Sequence, residues 1–124
     1  MRVIPPIELQ WSDWHEWADL ATDARVNRDA PRVPNQSGVY EVRAGQGGVT
    51  LTIGKAANLR TRVKQALVRG KSPHSSGTRI RDQEDVALLV VRWALTDRPA
   101  AVEEELHLRH VAQHGCLPRH TRRT

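Results

Sequence analysis

The chain of 124 residues contains no phenylalanine, one tyrosine, one methionine and one cysteine. The single cysteine, Cys116, excludes an internal disulfide and any zinc site built from several cysteines, and a reducing compartment is the simplest interpretation. The first ten residues include two prolines and no long apolar run, so we expect neither a signal peptide nor a membrane span. These absences predict a cytoplasmic protein without a membrane partner.

Tryptophan supplies most of the aromatic content, and three of the four tryptophans lie between residues 11 and 17. Residues 11–24 have apolar side chains at helical spacing and Ser12 as a candidate N-cap, a pattern that predicts an amphipathic helix. We expect these rings to pack in the core, and stacking on nucleic-acid bases is the alternative. The polar segment that follows, with its prolines, is expected to be a linker.

Basic residues outnumber acidic ones by 19 to 14, the formal net charge is +5, and nearly all of the basic residues are arginine. Guanidinium groups bind phosphate oxygens in a bidentate way, so this balance favours a phosphate-bearing partner. On composition alone, a basic surface that serves solubility is the alternative.

The middle of the chain predicts a β-hairpin followed by a helix. Segments 39–43 and 49–53 each alternate apolar and polar residues, and the connection between them is rich in glycine. Gly54 is expected to let the backbone turn after the second strand, and Asn58 is a candidate helix cap. Gly70 ends the expected helix. The apolar residues of this helix fall on one face: Leu59, Val63, Ala66 and Leu67.

The second half of the chain predicts a loop, a strand and a long helix. Residues 71–77 are rich in serine, glycine and proline, which is typical of a loop. The apolar run 86–95 predicts a buried central strand, the third of the sheet. Thr96 or Asp97 can cap the next helix, and Gly115 marks its end.

Three motifs in the hairpin and the first helix closely resemble the signature of the GIY-YIG nuclease family. They are Gly-Val-Tyr at 38–40, Thr-Ile-Gly at 52–54 and Asn-Leu-x-x-Arg at 58–62, and a histidine-serine segment at 74–76 is similar to one in homing-type members. The resemblance implies an α+β fold with a small three-stranded antiparallel sheet flanked by helices. The chain then divides into a tryptophan-rich helix and linker, a nuclease-like domain and a basic tail, at residues 1–33, 34–121 and 122–124.

The resemblance also implies roles for individual residues. Tyr40 would orient or deprotonate the attacking water, and Arg62 would neutralise an oxygen of the scissile phosphate. Thr52 stands where the family has a second tyrosine and is expected to hydrogen-bond water. Lys55 and His74 are expected to assist Tyr40. Because a tyrosine with an ordinary pKa of about 10 is a poor base at neutral pH, Arg62 and Lys55 are expected to lower the pKa of Tyr40.

The family also requires a glutamate on the helix after the third strand, as a ligand for one Mg²⁺ or Mn²⁺ ion. Glu103 is the expected ligand because Val102 precedes it and Leu106 follows it at the family's spacing. Glu104 and Glu105 are interpreted as first-turn residues that complement the helix dipole.

Further basic residues are expected to contact DNA phosphates, including those of residues 119–124, which are expected to be mobile. After Pro118, where family members often carry an asparagine, this chain has Arg119, His120 and Thr121. The expected DNA contacts are Arg60, Lys64, Lys71, Arg119, Arg122 and Arg123.

The first hypothesis is therefore a metal-dependent DNA endonuclease that hydrolyses phosphodiester bonds, in a family whose members serve DNA repair, restriction, recombination and intron mobility. A protein partner for target selection is also considered. The second hypothesis is a nucleic-acid-binding module that kept the fold and lost catalysis. The third is a zinc protein unrelated to nucleic acid, because Glu103 shares a helical face with three histidines. These are His107, His110 and His114.

Overall fold

The computed structural model describes residues 9–21, 32–68 and 76–121. Nine elements of secondary structure follow one another within these residues. In chain order they are β1 (His15–Glu16), α1 (Trp17–Ala21), β2 (Gly38–Arg43), β3 (Thr50–Ala56), a π-helix (Thr61–Leu67), α2 (Ser76–Gln83), a 3₁₀ turn (Val86–Leu88), β4 (Val90–Leu95) and α3 (Pro99–His114).

The strands form one antiparallel sheet in the order β1-β4-β2-β3. Tyr40 in β2 is paired with Gly54 of β3 on one side and with Trp93 of β4 on the other. The predicted α+β fold with an antiparallel sheet and flanking helices is confirmed. The described sheet has one strand more than expected, because β1 pairs His15 with Val91.

Apolar side chains cover both faces of the sheet, since residues along each strand alternate between faces. On one face, α3 packs against Val39 and Ala94 through Val102. The other face holds the larger core, which is closed by α1, the π-helix and α2. Its buried residues are Trp17, Leu20, Val33, Tyr40, Val42, Leu51, Ala56, Leu59, Val63, Leu67, Val68, Ile80, Leu89, Val91 and Trp93.

The predicted helix over residues 11–24 is wrong for its first half. Trp11 forms a bridge to Ala94, and the Ser12 amide donates to the Trp93 carbonyl at 2.8 Å. The backbone of this segment therefore forms its hydrogen bonds with β4. This tertiary pairing outweighs the local preference for a helix that the spacing of the apolar residues indicates. Among the described residues the helix comprises Trp17–Ala21, and residues 22–24 lie outside the described range.

The hairpin is confirmed, but its second strand continues through Gly54 to Ala56, so the expected turn at Gly54 is wrong. The expected cap is present, because Oδ1 of Asn58 accepts from the Thr61 amide at 3.2 Å. The following helix has π-type geometry, in which the Val68 amide donates to the Val63 carbonyl at 3.1 Å. Gly70 lies outside the described residues.

Two boundaries in the second half differ from expectation. Ser76 and Gly77 begin the unpredicted helix α2 rather than end a loop, and residues 71–75 are outside the described range. The third predicted strand begins at Val90, because Asp85 caps a 3₁₀ turn through its carboxylate, which accepts from the Ala87 amide at 3.1 Å.

The last helix, Pro99–His114, is confirmed and ends at Gly115, whose φ of 80° is in the left-handed region that glycine adopts readily. Neither Thr96 nor Asp97 caps it, since the N-cap is Arg98. The glutamates at 103–105 follow its first turn, so their interpretation as first-turn residues is wrong. Within the described parts of the chain, none of the helices combines the length and apolar character needed to cross a membrane.

Candidate functional site

Tyr40 projects from β2 onto the larger core and lies against the backbone of Gly54 on β3. A Cβ atom at position 54 would lie 2.3 Å from the Tyr40 Oη and 2.4 Å from its Cζ. Glycine is therefore required at position 54 for the close approach of the ring, not for a turn. Because β3 is at the end of the sheet order, the Tyr40 hydroxyl is directed toward this edge.

Two charged residues on other elements act on the Tyr40 hydroxyl. Burial of the ring is the largest influence and raises the pKa of Tyr40, the Arg62 guanidinium lowers it, and the Glu103 carboxylate raises it. Arg62 acts in the expected direction, but burial outweighs it and the net pKa of Tyr40 is raised, so the expectation of a lowered pKa is wrong. Tyr40 therefore keeps its proton at neutral pH and can donate a hydrogen bond, but it is a poor base.

Arg62 and Glu103 are both accessible. Arg62 is exposed on the π-helix, and Glu103 is half-buried on α3. Among residues 9–21, 32–68 and 76–121, neither side chain forms a hydrogen bond or an ion pair. By contrast, Glu105 binds Arg109 at 2.7 Å. An exposed cation and a carboxylate without an ion-pair partner in the described parts of the chain thus both act on one protonated phenol.

Thr52 is 2% exposed, and its Oγ1 lies 3.0 Å from Oγ1 of Thr121. The Ile53 amide donates to the same Thr121 oxygen at 3.1 Å, and the His120 amide donates to the Leu51 carbonyl at 2.8 Å. Residues 118–121 therefore cover the outer edge of β3. Thr52 faces Thr121 instead of solvent, and the predicted mobility of residues 119–121 is wrong because they are packed on the sheet.

Lys55 is not grouped with Tyr40. It is exposed and paired with Val39, and it directly follows Gly54, so its side chain leaves the sheet on the face opposite the Tyr40 ring. His74 lies outside the described residues.

Each of the three predicted DNA contacts that the structure describes has a partner within the protein. Nε of Arg60 donates to the Val33 carbonyl at 3.0 Å, and Nη1 of Arg119 binds Glu84 at 2.9 Å. Lys64 is half-buried and has a partner of its own. Lys71, Arg122 and Arg123 lie outside the described residues.

The histidines of α3 do not form a metal cluster. Nε2 of His107 donates to the Ile53 carbonyl at 2.9 Å, and Nδ1 of His110 donates to the Cys116 carbonyl at 2.7 Å. In the parts of the chain that the structure describes, no group of three or more histidine, cysteine, aspartate or glutamate residues is arranged to hold a metal ion.

A buried carboxylate that sequence reasoning missed lies in β2. Glu41 is 4% exposed and accepts hydrogen bonds from Nε of Arg43 at 3.0 Å, Nε of Arg92 at 2.8 Å and Oγ1 of Thr50 at 2.7 Å. Both guanidiniums also stack on Trp14, at 4.9 and 4.6 Å from the ring centre. No local signal indicated its burial, because the alternation of apolar and polar residues over 39–43 predicts one apolar and one polar face.

A histidine–glutamate pair, which was also not predicted from the sequence, joins the end of α2 to the C-terminal segment, residues 118–121. Nε2 of His120 donates to Oε2 of Glu84 at 3.0 Å, and His120 is buried. The His120 carbonyl accepts from Oγ of Ser76 at 2.8 Å and from Nη2 of Arg79 at 2.7 Å. No local pattern indicates this pair, since its members are 36 residues apart.

Comparison of the chain with protein-family models, curated proteins and solved structures gave no match. The likeness to the GIY-YIG family thus rests on the motifs themselves, and a function is proposed below from the arrangement of Tyr40, Arg62 and Glu103.

Proposed function

We propose that the chain is a metal-dependent DNA endonuclease of the GIY-YIG type, which hydrolyses phosphodiester bonds beside Tyr40. The observation that carries this proposal is that the charges of Arg62 and Glu103 both act on the Tyr40 hydroxyl. The three side chains come from the π-helix, α3 and β2, which are far apart in sequence. A cation, a carboxylate and a hydrogen-bond donor around one point are the groups that phosphoryl chemistry needs.

Each of these side chains has a distinct role in the proposed reaction. The exposed guanidinium of Arg62 binds a non-bridging oxygen of the phosphate and compensates the charge that develops there. Tyr40 donates a hydrogen bond to the attacking water or to the phosphate. Because Tyr40 keeps its proton, another group must accept the proton of the water, and His74 is the predicted acceptor.

The carboxylate of Glu103 fits a hard divalent cation. It offers oxygen ligands, is half-buried, and has no cationic partner within the described residues. Mg²⁺ is commonly held by one or two carboxylates together with phosphate oxygens of the substrate, so a single glutamate is a sufficient protein contribution. When bound, Mg²⁺ or Mn²⁺ supplies Lewis-acid stabilisation of the phosphate and of the leaving oxygen.

The test uses supercoiled plasmid and branched DNA with Mg²⁺, Mn²⁺ or EDTA. Wild type is expected to give metal-dependent nicks, and Arg62→Gln and Glu103→Gln are each expected to lower the rate by about 100-fold or more. Arg98→Gln and Glu104→Gln remove the same charges from exposed positions and should retain the wild-type rate. Retained nicking in both site variants, or no nicking by wild type under any metal, would exclude the proposal.

The second candidate is a nucleic-acid-binding module without catalysis, and the burial of Thr52 against Thr121 favours it. The position at which the family has its second tyrosine is thereby closed to solvent. This candidate predicts DNA binding that weakens steeply between about 50 and 200 mM salt. Fluorescence anisotropy with labelled DNA would then show binding, while the plasmid stays intact with every metal.

A further inference from the structure

A cleft opens between the β2–β3 hairpin and the C-terminal half of α3. Its larger part has a volume of about 610 Å³, and a smaller part of about 210 Å³ adjoins it. Arg43, Thr50, His110 and His114 line both parts. A volume of this size lies within the range of small-ligand pockets, roughly 300–1,000 Å³. Arg43 and Tyr40 are three residues apart on β2 and therefore lie on opposite faces of the sheet.

The walls of this cleft are positively charged. Among the described residues, no aspartate or glutamate lines the larger part, and Glu41 is the one carboxylate that lines the smaller part. Two of the arginines have carboxylate partners outside the walls, because Arg109 binds Glu105 and Arg119 binds Glu84. The lining arginines of the two parts are Arg43, Arg92, Arg109 and Arg119.

Glu41 holds two of these arginines in place and leaves an excess of positive charge. One buried carboxylate accepts from the Nε atoms of Arg43 and Arg92, so the group of three carries a formal charge of +1. Trp14 stacks under both guanidiniums, and Trp11 stacks on Arg92 at 4.1 Å. Cations that are fixed before a ligand arrives lose less side-chain entropy on binding.

The cleft also offers apolar and aromatic surface to a ligand. Val49 is 61% exposed on the hairpin, and Leu117 and Pro118 line the opposite wall. The imidazoles of His110 and His114 lie 4.4 Å apart at this wall. An anion alone would leave this surface unused, whereas a phosphate joined to a flat ring would cover it.

We propose that this cleft binds a nucleotide unit, with its phosphate on Arg43 and its base against Val49 and His114. The unit is either a free nucleotide or one residue of a nucleic-acid strand, since both present the same phosphate and base. The proposal does not rest on nuclease activity, because the cleft is built from residues other than Tyr40, Arg62 and Glu103.

The experiment is an isothermal titration in EDTA with inorganic phosphate, adenosine, adenosine monophosphate and a ten-nucleotide single-stranded DNA. The monophosphate is expected to bind at least about tenfold more tightly than adenosine or phosphate alone, because it engages both surfaces. Val49→Glu places an anion in the cleft at an exposed position and should weaken nucleotide binding at least about tenfold.

Leu108→Glu is the matched control. Leu108 is 56% exposed, and it lies two residues from His110 and hence about 200° around α3, away from the cleft. It adds the same charge and should change the affinity by less than about twofold. Equal losses in the two variants, or no binding of the monophosphate or the oligonucleotide, would overturn the proposal.

The two sources of the nucleotide are separated by comparing the ligands. Tighter binding of the oligonucleotide than of the monophosphate, with sensitivity to Val49→Glu, identifies a nucleic-acid strand, and the reverse order identifies a free nucleotide. Arg98→Gln removes an exposed arginine that lines neither part of the cleft and should bind the monophosphate as wild type does. Failure of the nuclease proposal would leave these titrations unchanged, so the two proposals fail independently.

Discussion

Nε2 of His120 lies 3.0 Å from Oε2 of Glu84 and thereby joins the C-terminal segment to the end of α2. Arg119 contacts the same carboxylate oxygen at 2.9 Å. The hydrogen bond from His120 is the largest influence on Glu84 and lowers its pKa, burial opposes this effect, and Arg119 adds to the lowering. The charged form of Glu84 therefore stabilises the fold.

Glu84→Gln is expected to lower the free energy of unfolding by about 1.5–3 kcal/mol at pH 7. Because the pKa of Glu84 is lower in the folded state, its contribution is complete above its ordinary pKa of about 4.3 and is lost as pH falls through the folded value. Urea unfolding at pH 7, 5 and 3 should show the gap between wild type and variant closing at the lowest pH. Glu104→Gln, at an exposed position, is the control, and a gap that stays constant to pH 3 would contradict the lowered pKa.

Gly54→Ala is expected to destabilise the fold by about 1–3 kcal/mol, because the new Cβ would overlap the end of the Tyr40 ring. The loss of unfolding free energy caused by Gly54→Ala should be markedly smaller in a Tyr40→Ala background, because the tyrosine ring no longer occupies the space that the new Cβ would enter. Gly47→Ala is the control, since a Cβ there meets nothing within 4 Å. Denaturant unfolding of the four variants measures the coupling, and equal costs in both backgrounds would exclude the close approach as the cause.

Arg92→Met is expected to lower the free energy of unfolding by about 1.5–3 kcal/mol. The substitution removes a charged hydrogen bond to buried Glu41 and the stacking on Trp11 and Trp14. Arg98→Met makes the same change at an exposed position and should stay within about 0.5 kcal/mol of wild type. Thermal unfolding followed by tryptophan fluorescence reports on both. A loss at Arg92 no larger than that at Arg98 would show that the network contributes nothing to stability.

Thr52→Tyr, which restores the family's residue, is expected to destabilise the protein by about 1–3 kcal/mol. The ring would enter a site that is 2% exposed and occupied by Thr121. Limited proteolysis should then cut near residues 118–121 faster than in wild type. Thr61→Tyr, at an exposed position, should leave both stability and proteolysis unchanged. A Thr52→Tyr protein as stable as wild type would mean that this edge of β3 opens easily.

Local signals in the sequence predicted the elements whose contacts are close in the chain. Alternation of apolar and polar residues indicated the hairpin, and Gly115 marked the end of α3. The N-terminal segment was mispredicted because Ser12 pairs with Trp93, 81 residues away, which no local pattern reveals.

In the candidate site, too, features that depend on local motifs were predicted, and features that depend on distant residues were not. The grouping of Tyr40 with Arg62 and Glu103 followed from motif resemblance, and the roles of these residues stay predictions. The burial of Thr52 could not be predicted, because it depends on Thr121, 69 residues later. Likewise the raised pKa of Tyr40 follows from its burial, which depends on how the helices close over the sheet.

Residues near both ends of the described chain form hydrogen bonds to the sheet. This arrangement has a consequence for synthesis of the protein in the cell. Ser12 cannot form its hydrogen bonds until Trp93 has been synthesised. Likewise the Leu51 carbonyl cannot accept its hydrogen bond until His120 has been synthesised. A ribosome-bound chain that has not yet released Thr121 therefore exposes the outer edge of β3, and such an edge can pair with other chains. We expect the outer edge of β3 to be covered only after residues 118–121 have emerged, so chains that stop before residue 118 should aggregate more than chains that contain this segment.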